Sequence, residues 1–129
     1  MLTQKEILFY RICLGISVAI ILFFATAKLE NSGVVQVWDK LQHFVAFIVL
    51  AILLDFSFPK HSFNARKFLV LVGFGLLIEI IQQPLEHRYF SLLDVFADAV
   101  GAAFYFPLQV ILKKLPFLKR RFLLTNKTA

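Results

Sequence analysis

The sequence predicts an all-α, polytopic membrane protein: a bundle of four transmembrane helices, closed by a short basic C-terminal helix at the interface. Three observations carry that prediction. Of 129 residues, 60% are hydrophobic and sixteen are Phe, and the mean hydropathy is +0.79. Charged residues are 17% of the chain, against roughly 25% in soluble globular domains, so a soluble fold of this size would lack the polar side chains to cover itself. The apolar residues are clumped into four long runs with charges between them, which is the pattern a bilayer selects.

The chain reads as one domain, 1–129. The first span covers about residues 7–27 and contains Arg11, whose long stem lets the guanidinium reach the near interface. Lys5, Arg11, the apolar run and Ala25-Thr26-Ala27 imitate a cleavable signal peptide. The run is long for one, and Glu6 interrupts the basic region, so a retained helix is the expectation. The second span, about 41–58, has His43 near its start and Asp55 near its end. The third, about 68–83, is extended by Gln82 and Gln83 and stopped by Pro84. The fourth covers about 92–112. Each approaches the ~20 residues that cross ~30 Å of hydrocarbon. The tail, 113–129, alternates basic clusters with Leu, Pro and Phe, and Pro116 suits the first turn of a short helix lying on the inner leaflet.

Charge sets the direction. Eleven of the fourteen Lys and Arg fall on the side shared by the termini and the middle loop: Lys5, Arg11, Lys60, Arg66, Lys67, Lys113, Lys114, Lys119, Arg120, Arg121 and Lys127. Lys28, Lys40 and Arg88 fall on the other. The positive-inside rule places both termini in the cytoplasm. The net charge of +6 is then a matter of topology and lipid headgroups rather than of nucleic acid, which is not expected as a partner. The single cysteine, Cys13, excludes an intrachain disulfide and reads as a small buried hydrophobe.

With this topology the polar residues gather at the outer end. Asp39, Lys40 and His43 open the second span; Glu79, Gln82 and Gln83 close the third; Arg88 and Ser91 lead into the fourth, where Asp94 and Asp98 follow. Ser91, Asp94, Asp98, Gly101 and Tyr105 share one helical face. At 1.5 Å per residue Asp98 lies about 9 Å below the start of its span. An Asp at mid-helix costs about 2.5–3.5 kcal/mol to insert, so a buried partner or a wet pocket is implied. Arg88, Lys40 and His43 are the available partners. Asp55 and Arg11 sit apart, at the inner interface. Simple helix–helix hydrogen bonding accounts for some of these residues, and Ala97, Gly101 and Ala102 suit close helix packing. The whole set at one membrane depth favours a site.

At these residues the chain resembles the VanZ-like family of small bacterial membrane proteins. The matching pieces are Asp39-Lys40-x-x-His43-Phe44-x-x-Phe47, Glu79-x-x-Gln82, and Arg88-x-x-Ser91-x-x-Asp94-x-x-x-Asp98-x-x-Gly101. The family commonly has Asn at the position of Asp98 and a second Gly at that of Tyr105. The resemblance covers about residues 36–105. It implies a multi-pass protein of the bacterial inner (cytoplasmic) membrane, a cell-envelope context and a link to glycopeptide (teicoplanin) resistance, without identifying a reaction.

Three functions fit these residues. In the favoured one, Asp39, Lys40, His43, Glu79, Gln82, Arg88, Ser91, Asp94 and Asp98 line an outward-facing pocket. It binds a glycopeptide, a lipid headgroup or a lipid-linked wall precursor. In the second the same pocket is an active site, with Asp94 or Glu79 as general base, His43 as acid, and Arg88 with Lys40 holding an anionic group. In the third the chain is a proton-coupled carrier with Asp98 and Glu79 as relay, which would need a homo-oligomer. No metal-ligand motif and no Gly-rich phosphate loop is present in the sequence, and no cofactor is expected. Membrane lipids are the expected partners.

Overall fold

A computed structural model describes residues 2–27, 35–86 and 89–123, with the side chains of 35–38 left aside. Five α-helices follow one another: α1 (Gln4–Thr26), α2 (Val35–Ser57), α3 (Ala65–Gln82), α4 (Leu92–Leu112) and α5 (Pro116–Phe122). Among the described residues there is no strand. Three helices are long and apolar enough to cross a membrane: α1, α2 from Asp39 onward, and α4.

Local chemistry explains where the helices start. Thr3 caps α1, accepting from the Glu6 N–H, while the Glu6 carboxylate accepts the Thr3 N–H at 2.6 Å. This reciprocal box satisfies two orphan donors and accounts for the acidic residue among basic ones. Asn64 caps α3 by accepting from the Arg66 and Lys67 N–H groups. Ser91 caps α4 through the Asp94 N–H. The Thr3 and Asn64 caps lie in polar sequence, so α1 and α3 begin before the apolar runs that announce them, and α2 too begins early, at Val35.

The four long helices run up, down, up and down. The end of α1 and the end of α3 meet the start of α2 and the start of α4, as the contacts Gln82–Ala25, Glu79–Ser91 and His43–Asp98 together show. α2 and α4 are therefore parallel, and they form the centre. Their closest approach is at Gly101, where a Cβ would run into the backbone carbonyl of Phe44. Phe47, Leu50 and Ala51 of α2 pack there with Ala102 and Tyr105 of α4 and with Leu71 and Ile78 of α3. Ala102, predicted to lie at a close helix contact, is fully buried.

The outer surface is apolar. α1 has only Ala25 buried, while Leu8, Phe9, Ile12, Ile16, Ile20 and Phe23 are all at least half exposed. Leu69, Val70 and Ile80 of α3, and Leu92, Leu93, Phe96, Val110 and Ile111 of α4, are exposed as well. Soluble monomers rarely leave contiguous apolar surface beyond a few hundred Å². A helix apolar all round yet largely uncovered needs a non-aqueous neighbour.

The end of the bundle away from His43 is held by a second polar cluster. Asp55 Oδ1 accepts from Lys67 Nζ at 2.8 Å and from Arg121 Nη2 at 2.6 Å, and Asp55 Oδ2 accepts from the Tyr105 hydroxyl at 2.8 Å. Arg121 also donates to the carbonyls of Asp55, Pro59 and His61. Lys67 donates to those of Phe58 and His61. Arg11 reaches the Ser57 carbonyl at 3.1 Å. The expectation that the basic tail serves lipid headgroups is thus corrected at Arg121, which is fully buried. Its carboxylate and carbonyl partners offer more than a headgroup layer can, because they are fixed and dry. The α5 helix does begin with Pro116 in its first turn.

Candidate ligand-binding site

The site is assembled where the first turns of α2 and α4 meet. Asp39 and His43 lie one turn apart on α2, and Asp94 and Asp98 one turn apart on α4. The close approach at Gly101 brings these two faces together. His43 Nδ1 and Asp98 Oδ1 are 2.8 Å apart, with Asp98 fully buried. One turn nearer the end, Lys40 Nζ lies 3.2 Å from Asp94 Oδ1, a charge pair out of alignment for a hydrogen bond.

The end of α3 completes the cluster. Glu79, fully buried, accepts the Ser91 N–H on Oε2 at 2.8 Å, which ties α3 to the cap of α4. Gln82 donates from Nε2 to the Ala25 carbonyl at 3.0 Å, satisfying one of the orphan acceptors at the end of α1. Gly75 lets Asp98 in: a Cβ there would lie 2.5 Å from Asp98 Oδ2.

The polar satisfaction of the two ends differs. Both oxygens of the Asp55 carboxylate have hydrogen-bond donors. At the His43 end, Glu79 Oε1, Asp94 Oδ1 and Asp98 Oδ2 are buried without any hydrogen bond, Asp94 Oδ1 having the Lys40 ion pair alone, whereas at the Asp55 end the Ser57 hydroxyl is the one such group among the described residues. Such atoms cost roughly 1–3 kcal/mol each when left unpaired, and native folds keep few of them. Three in one cluster make this end the candidate site, and the Asp55 end a structural fastening.

A cavity of about 340 Å³ opens beside the cluster, between α1, α2 and α3. Its walls are Ile20, Ile21, Phe24, Ala25, Ala46, Phe47 and Ile78, and its polar lining is Asp39, Gln42, His43 and Gln82. In size it lies at the low end of small-molecule pockets, and its mix of apolar wall and few polar groups is typical of them. His43 belongs to both features, bonded to Asp98 through one ring nitrogen and exposed in part to the cavity. In the tautomer that donates Nδ1–H to Asp98, Nε2 carries the lone pair.

The structure brings together eight of the nine residues expected at the site: Asp39, Lys40, His43, Glu79, Gln82, Ser91, Asp94 and Asp98. Arg88, the ninth, lies outside the described residues. Among the described residues the pairing partners of Asp94 and Asp98 are Lys40 and His43, two of the three bases considered for them. Of these eight, Asp39, His43 and Gln82 line the cavity. Tyr105 shares the buried face of α4, as expected from its spacing, but its hydroxyl serves Asp55 at the opposite end. Gln42 and Gly75 were not singled out by sequence. Gln42 carries no intramembrane charge, and the role of Gly75 depends on a carboxylate from another helix.

One grouping crosses helices. Asp39, His43 and Asp94 each present a ligand atom, and these atoms lie within 4.8 Å of one another. No linear motif announces it, because Asp94 reaches it from α4.

Fold and site define an all-helical protein with three helices apolar enough to cross a membrane and a buried polar cluster at one end of the bundle. No protein-family model, curated protein or solved structure matches the chain.

Proposed function

We propose that the protein is a multi-pass membrane protein of the bacterial cell envelope that holds an amphiphilic ligand, a lipid headgroup or lipid-linked wall precursor, at the His43 end. In this reading α3 is the fourth span. Its 18 residues extend about 27 Å between the two polar ends, and its charges, Arg66, Lys67 and Glu79, sit in its first and last turns. The basic bias then turns the His43 end outward, and both termini are cytoplasmic. The resemblance of the motif residues to the VanZ-like family supports the envelope context and a part in glycopeptide resistance.

The observation that carries the reading is the cavity. Its polar groups are confined to one end and its walls are aliphatic and aromatic, which suits a molecule with a polar head and an apolar chain. α1 supplies one wall and is itself largely uncovered, so a chain could enter sideways from the bilayer. Native mass spectrometry of the protein extracted in mild detergent tests this. A bound amphiphile should be retained by the native protein and lost in Ile20→Trp, which blocks the wall from a half-exposed position. An identical complement of bound molecules in both proteins refutes the assignment.

One observation favours the enzyme reading in second place. His43 is held by Asp98 at 2.8 Å and borders the cavity, the arrangement by which a carboxylate orients an imidazole for proton transfer. His43 then acts on the bound molecule, with Asp98 as its positioning residue.

A further inference from the structure

Arg11 is the one basic residue inside the apolar run of α1, and among the described residues no carboxylate pairs with it. It lies about 10 Å along the helix from Gln4, at 1.5 Å per residue. Its Nε–H donates to the Ser57 carbonyl at 3.1 Å, one of the orphan acceptors at the end of α2. Its guanidinium lies over the Phe58 ring, 5.1 Å from the centroid. These two contacts orient the group without neutralising it. The acidic residues of this end are engaged elsewhere, Asp55 by Lys67, Arg121 and Tyr105 and Glu6 by Arg120. The N–H groups on Nη1 and Nη2 of Arg11 meet no acceptor among the described residues, and the residue is exposed on the apolar surface. A cation set into a span is retained where an anion meets it. A guanidinium fixed by its Nε and its face, with the Nη fork left to donate, suits two oxygens of one phosphate.

We propose that Arg11 binds the phosphodiester of an anionic phospholipid, in the leaflet at the Asp55 end, with an acyl chain lying along α1. The surface beside Arg11 has the shape for that chain. Gly15 stands one turn deeper on the same face, and a Cβ there would meet nothing within 4 Å. Ala19, also exposed, follows a turn further on. Leu8 and Ile12, each more than half exposed, give the furrow apolar sides. A fixed cation followed by a shallow apolar furrow repeats the order of a phospholipid, charge first and chain after. Free phosphate has no use for the furrow. The headgroup is anionic rather than zwitterionic, because both carboxylates of this end already have their donors and an ammonium would find none to pair with. Lys60, exposed two residues beyond Phe58, adds positive charge instead. The site lies at the opposite end of the bundle from the His43 cavity and does not depend on what that cavity holds.

Native mass spectrometry of the full chain in mild detergent, with lipid added, tests the proposal. The probes are phosphatidylglycerol, phosphatidylethanolamine and diacylglycerol with the same acyl chains, and inorganic phosphate. The first phosphatidylglycerol should bind more tightly than any later one, and more tightly than either other lipid. Arg11→Lys, which keeps the charge and loses the fork, should weaken that first binding several-fold, and Arg11→Met should weaken it about tenfold or more. Gly15→Leu, which fills the furrow, should weaken it with the lipid-free thermal midpoint unchanged. Nothing stands within 4 Å of a Cβ at Gly15, so this variant reads chain binding even where Arg11→Met, deprived of its bond to Ser57, fails to accumulate. Ile20→Trp, at the His43 cavity, should leave phosphatidylglycerol binding as it is, which separates this site from that one. Phosphatidylethanolamine or diacylglycerol bound as tightly as phosphatidylglycerol overturns the proposal. So do Arg11→Lys and Gly15→Leu proteins that bind like the native one. Stabilisation by inorganic phosphate equal to that by phosphatidylglycerol overturns it in favour of a small-anion site.

Discussion

Arg121 of α5 donates to the carboxylate of Asp55 on α2 at 2.6 Å, and both side chains are fully buried. The last helix is therefore fastened into the bundle by an ion pair rather than resting beside it. Removing one partner of a buried pair leaves the other charge stranded, at a cost of about 3–5 kcal/mol. Arg121→Met should lower the thermal midpoint in detergent sharply or prevent accumulation. Asp55 retains Lys67 and Tyr105, so the loss should fall at the low end of that range, and in the double variant with Asp55→Asn the two losses should overlap, because the Arg121–Asp55 bond is lost only once. Strictly additive losses in that cycle would show that the two residues are not coupled.

At the other end, Asp98 and His43 form a single bond in which an amide can replace the carboxylate. Asn keeps an acceptor oxygen for the Nδ1–H of His43. Asp98→Asn should stay within about 1 kcal/mol of native stability, whereas Asp98→Ala, which strands His43, should lose about 1–3 kcal/mol. Equal midpoints for the two variants would contradict a structural His43–Asp98 bond.

Glycine substitutions separate helix contact from helix propensity. At Gly101 a methyl group meets the Phe44 carbonyl, a backbone atom that cannot turn aside, while at Gly73 it meets nothing within 4 Å. Gly101→Ala should separate α2 from α4 and destabilise by about 1–3 kcal/mol. Gly73→Ala should be neutral or gain up to about 1 kcal/mol from helix propensity. The check is the difference between the two midpoints. A Gly101→Ala protein as stable as the native one would mean that the helices stand further apart.

Orientation is decided by labelling. Eleven basic residues against three predict cytoplasmic termini under the proposed topology, and the pairing of Glu6 with Arg120 at 2.9 Å keeps α1's start and α5 on one side. Single cysteines introduced in Cys13→Ser protein at Thr3 and Lys119 should be shielded from an impermeant maleimide added to intact cells, and one at Glu86 should react. Labelling of Thr3 and Glu86 alike would exclude the up-down-up-down path through a bilayer.

Hydropathy located the long helices because burial in lipid and helical hydrogen bonding select the same residues over most of their length. α4 coincides with its predicted bounds, Leu92–Leu112, since Ser91 is both the end of the apolar run and the cap. The other three start earlier, because Thr3 and Asn64 extend α1 and α3 into polar sequence and α2 opens with Val35-Gln36-Val37. The outer polar set was legible as a set: helical spacing puts Asp39 with His43 and Asp94 with Asp98 on single faces. The choice of partners was not, because it depends on how deeply α2 and α4 approach at Gly101. The Asp55 network was illegible for a different reason. Its members come from four helices, and a terminal arginine next to two other basic residues looks like any headgroup contact.

The fastening of Asp55 has a consequence for how the chain is made. Its two basic partners lie 12 and 66 residues downstream, so synthesis supplies them in order. Lys67 arrives with the start of α3 and neutralises the carboxylate early. Arg121 arrives only when α1 to α4 are complete, and only then can it close over Asp55, Pro59 and His61. A chain shortened by a few residues past Lys119 keeps every long helix yet leaves that carboxylate and those carbonyls without their last donor, a flaw by which a cell's proteases can tell an unfinished copy from a finished one.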